Sequence, residues 1–293
     1  MRIGVIGVGL LGRAVASRLL EHGFDVTGYD TRPDQLEALV GHGLHAAQGL
    51  SDVTARAEAI FTILPTLESV ETVVCGPGGL TETARPDTVI LQMSTISPDL
   101  TKRLYQQVSA HDLHFLDTPI SGTSAMVARG DCTIFVGGDP VQKQRCDPLF
   151  EAISRRAVHI GDIGTASLAK LVTNMLVALN TVSLAEALVL AAKGGIDPAQ
   201  MMAALMDSAA ASRMMEIRGP LMVTGDFPPQ MKLNLFLKDI QLMIESGEQL
   251  EVALPLTQAA QQLYASAANM NSQAGERDLS VVIQALERLS GMR

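Results

Sequence analysis

The sequence predicts an α/β protein: an N-terminal doubly wound sheet, then an all-α C-terminal domain, the two joined by a long interdomain helix. Three observations predict it. Up to about residue 160, short β-branched runs alternate with helical patterns, as chained βαβ units require. A glycine-rich turn follows the first of those runs at once. From Ala166 onward apolar residues recur at helical spacing almost without a break.

Composition is compatible with this and narrows the function. The 293 residues are enough for one large or two ordinary domains. Aromatics make up 3% with no Trp, against 14 Met, so the core must be aliphatic with Met filling gaps. A net charge of −9 without basic clusters argues against nucleic-acid binding. Cys75, Cys132 and Cys146 show no CxxC spacing, which predicts neither a zinc site nor a disulfide framework and fits a cytoplasmic location. Arg2 and the apolar run after it superficially resemble a secretion signal, but glycines interrupt the run, so it reads as mature structure. The nearest approach to a membrane span, residues 171–190, is interrupted by Asn174, Asn180, Thr181, Ser183 and Glu186, and no span is expected.

Taken in order, residues 2–6 are a β-branched run of the kind buried in a parallel sheet. Gly7-Val8-Gly9-Leu10-Leu11-Gly12 follows. Residues 13–22 read as a helix with Ala14, Val15, Leu19 and Leu20 on one side, closed by Gly23. Residues 24–29 form the next strand, ending at Asp30. Strand, glycine turn, helix, strand and acidic residue within about 30 residues are the dinucleotide fingerprint, which makes the sheet Rossmann-type. Gly7 permits the tight turn, Gly9 admits a pyrophosphate to the backbone N–H groups, and Gly12 lets helix and strand pack closely. The plain alternative is a glycine turn in an unrelated α/β protein. Asp30 would accept hydrogen bonds from the adenosine ribose and repel a 2′-phosphate, which favours NAD and leaves NADP possible. Arg32 would meet that phosphate only if its loop moved, and reads more simply as a solvated loop residue. Leu10, Leu11 and Thr31 complete the cofactor set at these turns.

The alternation continues with helices over 33–41 and 51–56, the second capped by Ser51, and a strand over 59–64 ended by Pro65. A helix over 67–74, a loop over 76–79 and a strand over 88–93 come next. In such a sheet ligands lie outside the carboxyl ends of the strands. That puts Leu64, Pro65, Ser94 and Thr95 on the cofactor side, while Ser97-Pro98 suits the start of a helix. A strand over 113–116 runs into Asp117-Thr118-Pro119-Ile120-Ser121-Gly122-Thr123. Ser121, Gly122 and Thr123 offer hydroxyls and N–H groups fit for a carboxylate, although a plain turn has the same composition. Strands over 132–136 and 157–160 flank a helix started by Asp139-Pro140, and His159 reads as structural.

Residues 161–174 open the helical half. Lys170 and Asn174 stand four apart, hence on one helix face, among Leu168, Leu171, Val172 and Met175. Those neighbours leave little room for a wide polar face, so the lysine is a candidate functional group, the alternative being a solvated face. The helix predicted over 168–193 is about 26 residues and about 39 Å long, and Gly194-Gly195 stops it. Apolar residues cover more than one of its faces, which points to a homodimer or homotetramer. Asp197-Pro198 restarts a helix, and others are expected at 232–249, 255–269 and 278–289.

These residues together resemble the β-hydroxyacid dehydrogenases, nearly end to end. The resemblance rests on residues 6–12 at the cofactor turn, Met93 to Pro98, Asp117 to Thr123 where the family has D-A-P-V-S-G-G, the Lys170 segment, and Lys238-Asp239. It implies residues 1–162 as the dinucleotide-binding domain and 163–293 as a helical substrate and oligomerisation domain. It implies Lys170 as the catalytic lysine, Asn174 as a substrate partner, Ser121-Gly122-Thr123 as the substrate-carboxylate loop, and Lys238 near both nicotinamide and substrate. The reaction implied is hydride transfer between NAD(P) and a small carboxylated hydroxyacid or semialdehyde. Leu11 for Met, Thr123 for Gly and Thr173 for the first of two Asn depart from the family pattern and leave the substrate open. Residues 161–164 and 177–180 look closest to the tartronate semialdehyde reductases. An imine reductase of the same architecture and a non-catalytic dinucleotide-binding protein are the rival readings.

Overall fold

The alternating runs become one sheet in the computed structural model, which describes Met1–Met292. In chain order the first elements are β1 (Arg2–Ile6), α1 (Leu10–Glu21), β2 (Asp25–Tyr29), α2 (Asp34–Val40), β3 (His45–Ala46), α3 (Leu50–Arg56), β4 (Ala59–Thr62), α4 (Leu67–Cys75) and α5 (Leu80–Thr83). Then come β5 (Val89–Gln92), α6 (Pro98–Ser109), β6 (His114–Asp117), β7 (Ile120–Ser121), α7 (Ser124–Ala128), β8 (Thr133–Gly137), α8 (Pro140–Ile153) and β9 (Arg156–Gly161). The rest is helical: α9 (Thr165–Lys193), α10 (Pro198–Met206), α11 (Arg213–Thr224), α12 (Leu233–Gln249), α13 (Pro255–Ala268) and α14 (Val282–Leu289).

The sheet runs β3-β2-β1-β4-β5-β6-β8-β7, with β9 beside β8. Pairing is parallel from β3 through β6, and β8 is antiparallel to β6 and β7. The order reverses between β1 and β4, and an open α/β sheet takes its ligand at that reversal. Helices on both faces explain why the strands read as unbroken apolar runs. Ala59, Phe61, Val89 and Leu91 pack on one face with Val15, Leu19, Leu149 and Phe150. Ile60 and Ile90, between them in sequence, pack on the other with Val53, Val70 and Leu104.

Helix starts follow side-chain chemistry. Ser97, Asp139 and Asp197 each accept a backbone N–H from the first turn that follows, with proline at the start of the helix. Ser51 is a correction. α3 begins at Leu50 behind Gly49, with no side-chain cap, and Asp52 Oδ2 instead accepts from the Gln48 N–H at 2.8 Å. The last helix also starts later than the pattern suggests, because Leu279–Val281 form a 3₁₀ turn capped by Asp278.

The chain divides into compact units Met1–Lys170 and Leu171–Arg293. The division into compact units falls inside α9, whose first turn is hydrogen-bonded into the sheet unit. By length and composition alone, α9 is apolar enough to cross a membrane, although it carries Asn174, Asn180 and Glu186. Within the second unit, Tyr264 packs edge-on against Phe236 at 5.6 Å and donates to the Ala178 carbonyl at 3.1 Å. Arg218 Nε and Asp278 Oδ1, both buried, lie 3.4 Å apart. Asp278 also accepts from the Met231 and Ser280 N–H groups, so one carboxylate ties several segments of this unit together.

Candidate active site

At the carboxyl end of β1 the glycine turn is shaped by close backbone approach. Gly7 adopts φ +88°, open to glycine and strained for other residues. A Cβ on Gly12 would fall inside van der Waals contact of the Gly7 oxygen and 2.9 Å from the Gly7 carbonyl carbon. A Cβ on Gly9 would meet no atom within 4 Å. The turn thus closes on itself at Gly7 and Gly12 and leaves room at Gly9, ahead of the N-terminus of α1. That arrangement fits a pyrophosphate. Leu10 is exposed, whereas Leu11 is half-buried against the core.

Asp30 ends β2 and turns back to this loop. Its Oδ2 accepts from the Val8 N–H at 2.8 Å and its Oδ1 from the Arg32 N–H at 2.9 Å. Each oxygen retains a lone pair for a ribose hydroxyl. The carboxylate therefore shapes the glycine turn as well as facing the cofactor side, a role no sequence spacing announces. Arg32 Nε lies 3.9 Å from Asp30 Oδ1 with its side chain 65% exposed, in keeping with a solvated loop residue. Thr31, next to Asp30, is exposed.

Leu64 and Pro65 follow β4, and Ser94 and Thr95 follow β5, on the same edge. Ser94 departs from expectation. Its hydroxyl is buried and accepts from the Leu64 N–H at 2.8 Å, while Gln92 brackets its backbone, accepting from its N–H at 2.9 Å and donating to its carbonyl at 2.8 Å. Ser94 thus clasps the two loops together, and its hydroxyl is turned inward, not toward a ribose. Thr95 is half-buried beside it.

The segment after β6 carries Ser121 at the end of β7 and Gly122 in the turn. Thr123 caps α7, its hydroxyl accepting from the Met126 N–H at 3.3 Å. The residue that departs from the family glycine thus uses a lone pair on its own helix and keeps its O–H, so the Ser121 and Thr123 hydroxyls and the backbone N–H groups are the donors available to a carboxylate.

Asp117, which sequence reading named only as part of a motif, is fully buried at the end of β6. Its Oδ2 accepts from the Ser167 N–H at 2.7 Å and its Oδ1 from the Ser167 hydroxyl at 2.7 Å. It therefore caps α9 from fifty residues away in sequence. Burial pushes its carboxyl up to about 6, opposed by the hydrogen bonds from Ser167 and Gly164. A carboxyl raised in the fold contributes stability that is full below about pH 4, its ordinary range, and is lost as pH rises through about 6. The loss amounts to about 3 kcal/mol. Urea unfolding across that window should show wild type losing its margin over Asp117→Asn as pH rises, and a margin independent of pH would contradict the assignment.

Lys170 is half-buried on α9, three residues beyond Ser167. In the second unit, Asn174 is buried one turn further along the same helix, and its Nδ2 donates to Asp239 Oδ2 at 2.9 Å. Asp239 Oδ1 lies 2.9 Å from Lys238 Nζ. Asp239 is thus the shared partner of two predicted site residues, which sequence reading quoted without a role. An acidic residue adjacent to a site lysine was the available signal.

Comparison with known proteins bears on the family and the fold. Residues 2–161 match the NAD-binding domain of 6-phosphogluconate dehydrogenase, and residues 164–286 match the NAD-binding family of NADP-dependent 3-hydroxyisobutyrate dehydrogenase. The chain is 35% identical to 2-hydroxy-3-oxopropionate reductase of Escherichia coli strain K12, covering 99% of this chain and 98% of that one. It is 33% identical to 2-(hydroxymethyl)glutarate dehydrogenase of Eubacterium barkeri, covering 100% and 97%. The crystal structure of 3-hydroxyisobutyrate dehydrogenase from Salmonella typhimurium superposes with a TM-score of 0.89 at 27% identity, covering 97% of this chain and 99% of that one. An imine reductase from Streptomyces aurantiacus shares the fold alone, at 18% identity and a TM-score of 0.64 over 98% and 99% of the two chains.

Proposed function

Since the chain belongs to the β-hydroxyacid dehydrogenases, NAD(P)-dependent oxidoreductases, we propose that it interconverts a small semialdehyde acid and its hydroxyacid with Lys170 as general acid and base. The observation that carries this reading is the Lys170–Asn174 pair on one unbroken helix whose first turn is anchored in the unit that bears the glycine turn.

When bound, the nicotinamide supplies or removes hydride at the substrate carbon. Gly7 to Gly12 and Asp30 would hold the dinucleotide, with Leu64, Pro65 and Thr95 on the same edge. The Ser121 and Thr123 hydroxyls and the backbone of Gly122 and Thr123 bind the substrate carboxylate. Lys170, as ammonium, stabilises the charge growing on the carbonyl oxygen and donates a proton to it; in the other direction neutral Lys170 takes that proton. Asn174 orients the substrate, while Asp239 holds Asn174 and Lys238 in place.

The favoured substrate is 2-hydroxy-3-oxopropionate, supported by residues 161–164 and 177–180 and by the identity to the Escherichia coli reductase. NAD is the favoured cofactor, on the strength of Asp30. A cytoplasmic homodimer or homotetramer is the proposed form, supported by Val172, Leu176 and Leu190 exposed along α9. Absorbance of the reduced nicotinamide, followed with NADH or NADPH and a panel of semialdehyde acids beside cyclic imines, tests the class. Oxidation with an acid supports it, and turnover of imines alone overturns it.

Cofactor preference has its own test. Asp30→Ala should weaken NADH binding more than NADPH binding in fluorescence titrations. Equal losses would remove Asp30 as selector and leave only its bonds to the Val8 and Arg32 N–H groups.

A further inference from the structure

Asp117 does more than cap a helix. It stands at the end of β6, four residues ahead of Ser121, and it grips Ser167, three residues ahead of Lys170. One side chain therefore ties the strand that leads to the carboxylate loop to the helix turn that leads to the lysine. We propose that Asp117 is a positioning residue for Lys170, fixing the start of α9 and thereby the placement of the lysine relative to the Ser121–Thr123 loop. This inference rests on Lys170 being the acid–base group. Misplacing a reacting group by about 1 Å costs on the order of a hundredfold in rate, so a hydrogen-bonded anchor less than one helical turn from the lysine has consequences for turnover.

The hydroxyls around Asp117 carry a second indication. Ser167 Oγ lies 2.7 Å from Asp117 Oδ1 and 2.8 Å from Thr101 Oγ1, and Thr101 Oγ1 lies 3.0 Å from the Ser97 carbonyl oxygen. Each hydroxyl has one proton. If Asp117 is ionised, Ser167 donates to it, and Thr101 has one proton for two acceptors, Ser167 and the Ser97 carbonyl. If Asp117 is neutral, all three bonds form in one direction: Asp117 to Ser167, Ser167 to Thr101, Thr101 to Ser97. The protonation state of Asp117 thus sets the direction of the chain that holds the helix start, and the ionised form alone accepts both Ser167 donors.

Among the described residues, the causes acting on this carboxyl are burial and the hydrogen bonds from Ser167 and Gly164, with no neighbouring charge among them. The flanking strands β5 and β8 carry no titratable group. From α6, Lys102 lies along Gly164, and Arg103 pairs with Glu71. From α8, Lys143 pairs with Asp147 and Arg145 with Asp87. Lys170 is the charged residue of the first turns of α9.

The test compares Asp117→Asn, Ser167→Ala and Thr101→Val with wild type in kcat, KM, NADH affinity and the pH profile of kcat, with Lys170→Ala in parallel. Asp117→Asn and Ser167→Ala should each lower kcat at least about tenfold, with NADH affinity within about twofold of wild type. Wild-type kcat should rise with pH through an acid limb near 6 that Asp117→Asn lacks. Thr101→Val removes the outlet for the neutral form and should move that limb to lower pH. Wild-type kcat in Asp117→Asn and Ser167→Ala, or an unchanged limb in Asp117→Asn, overturns the inference. Should Asp117→Asn not fold, Ser167→Ala decides, since it keeps the carboxylate and its bond to the backbone. Normal turnover in Lys170→Ala would instead undo the reading of the site itself, whereas loss there with the other variants intact undoes only the positioning role.

Discussion

Lys170→Ala is expected to lower turnover by at least about a hundredfold, the low end for a general acid–base group, with cofactor binding retained. The glycine turn and Asp30, which would carry the dinucleotide, are distant from residue 170 in sequence, and Asp30 is held to the turn by the Val8 N–H. Lys170→Arg sharpens the expectation. Guanidinium keeps the positive charge but does not deprotonate in a protein. It should retain part of the electrostatic stabilisation in the reductive direction and fail in the oxidative one, where a neutral base is needed. Steady-state rates in both directions, beside fluorescence titration with NADH, separate these effects. Near-normal turnover in Lys170→Ala would sink the assignment.

The second large effect is expected at the glycine turn, where Gly12 and Gly9 should differ in stability while both govern NADH binding. Gly12→Ala places a methyl group against the Gly7 carbonyl, and neither atom belongs to a flexible side chain. Relief requires moving α1 away from β1 or distorting the turn. Such overpacking costs about 1–3 kcal/mol, and NADH affinity should fall at least about tenfold, or about 1.4 kcal/mol. Gly9→Ala meets nothing within 4 Å, and Gly9 has a negative φ of −68° that alanine adopts freely. Its free protein should melt as wild type does, while NADH binding weakens because the methyl occupies the space left for the cofactor. Thermal unfolding with and without NADH reads both quantities. A Gly9→Ala protein that binds NADH normally would show that the cofactor does not approach there.

The parts of this molecule that were legible in its sequence share one property: their partners are near in the chain. The glycine turn, the caps at Ser97, Asp139 and Asp197, and the Lys170–Asn174 spacing are all local patterns. The parts that were not legible join residues far apart. Asp117 reads as one letter of a motif until Ser167, fifty positions on, is seen to donate to it twice. Asp239 gains its meaning from Asn174, 65 positions earlier. Ser94 reads as a cofactor-side residue from its place at a strand end; the Leu64 N–H, thirty positions earlier, meets its hydroxyl inside the protein. Thr123 reads into a carboxylate loop from its hydroxyl and its motif, whereas the short helix it caps is not visible in the pattern, and that helix adds a bond from the Met126 N–H to the same hydroxyl.

The bond from Val8 to Asp30 also bears on any attempt to re-engineer this catalyst for the phosphorylated cofactor. A single charge-removing exchange at position 30 would take away a repulsive group and, in the same stroke, an acceptor that shapes the pyrophosphate loop. On the proposed preference for NAD, selectivity and scaffold would be vested in one carboxylate. A successful redesign therefore has to retain an uncharged acceptor there, as in Asp30→Asn or Asp30→Ser, and recruit its phosphate-binding cation separately, with Arg32 already adjacent. Substitutions chosen for charge alone should yield enzymes that bind both cofactors poorly before any that have exchanged one for the other.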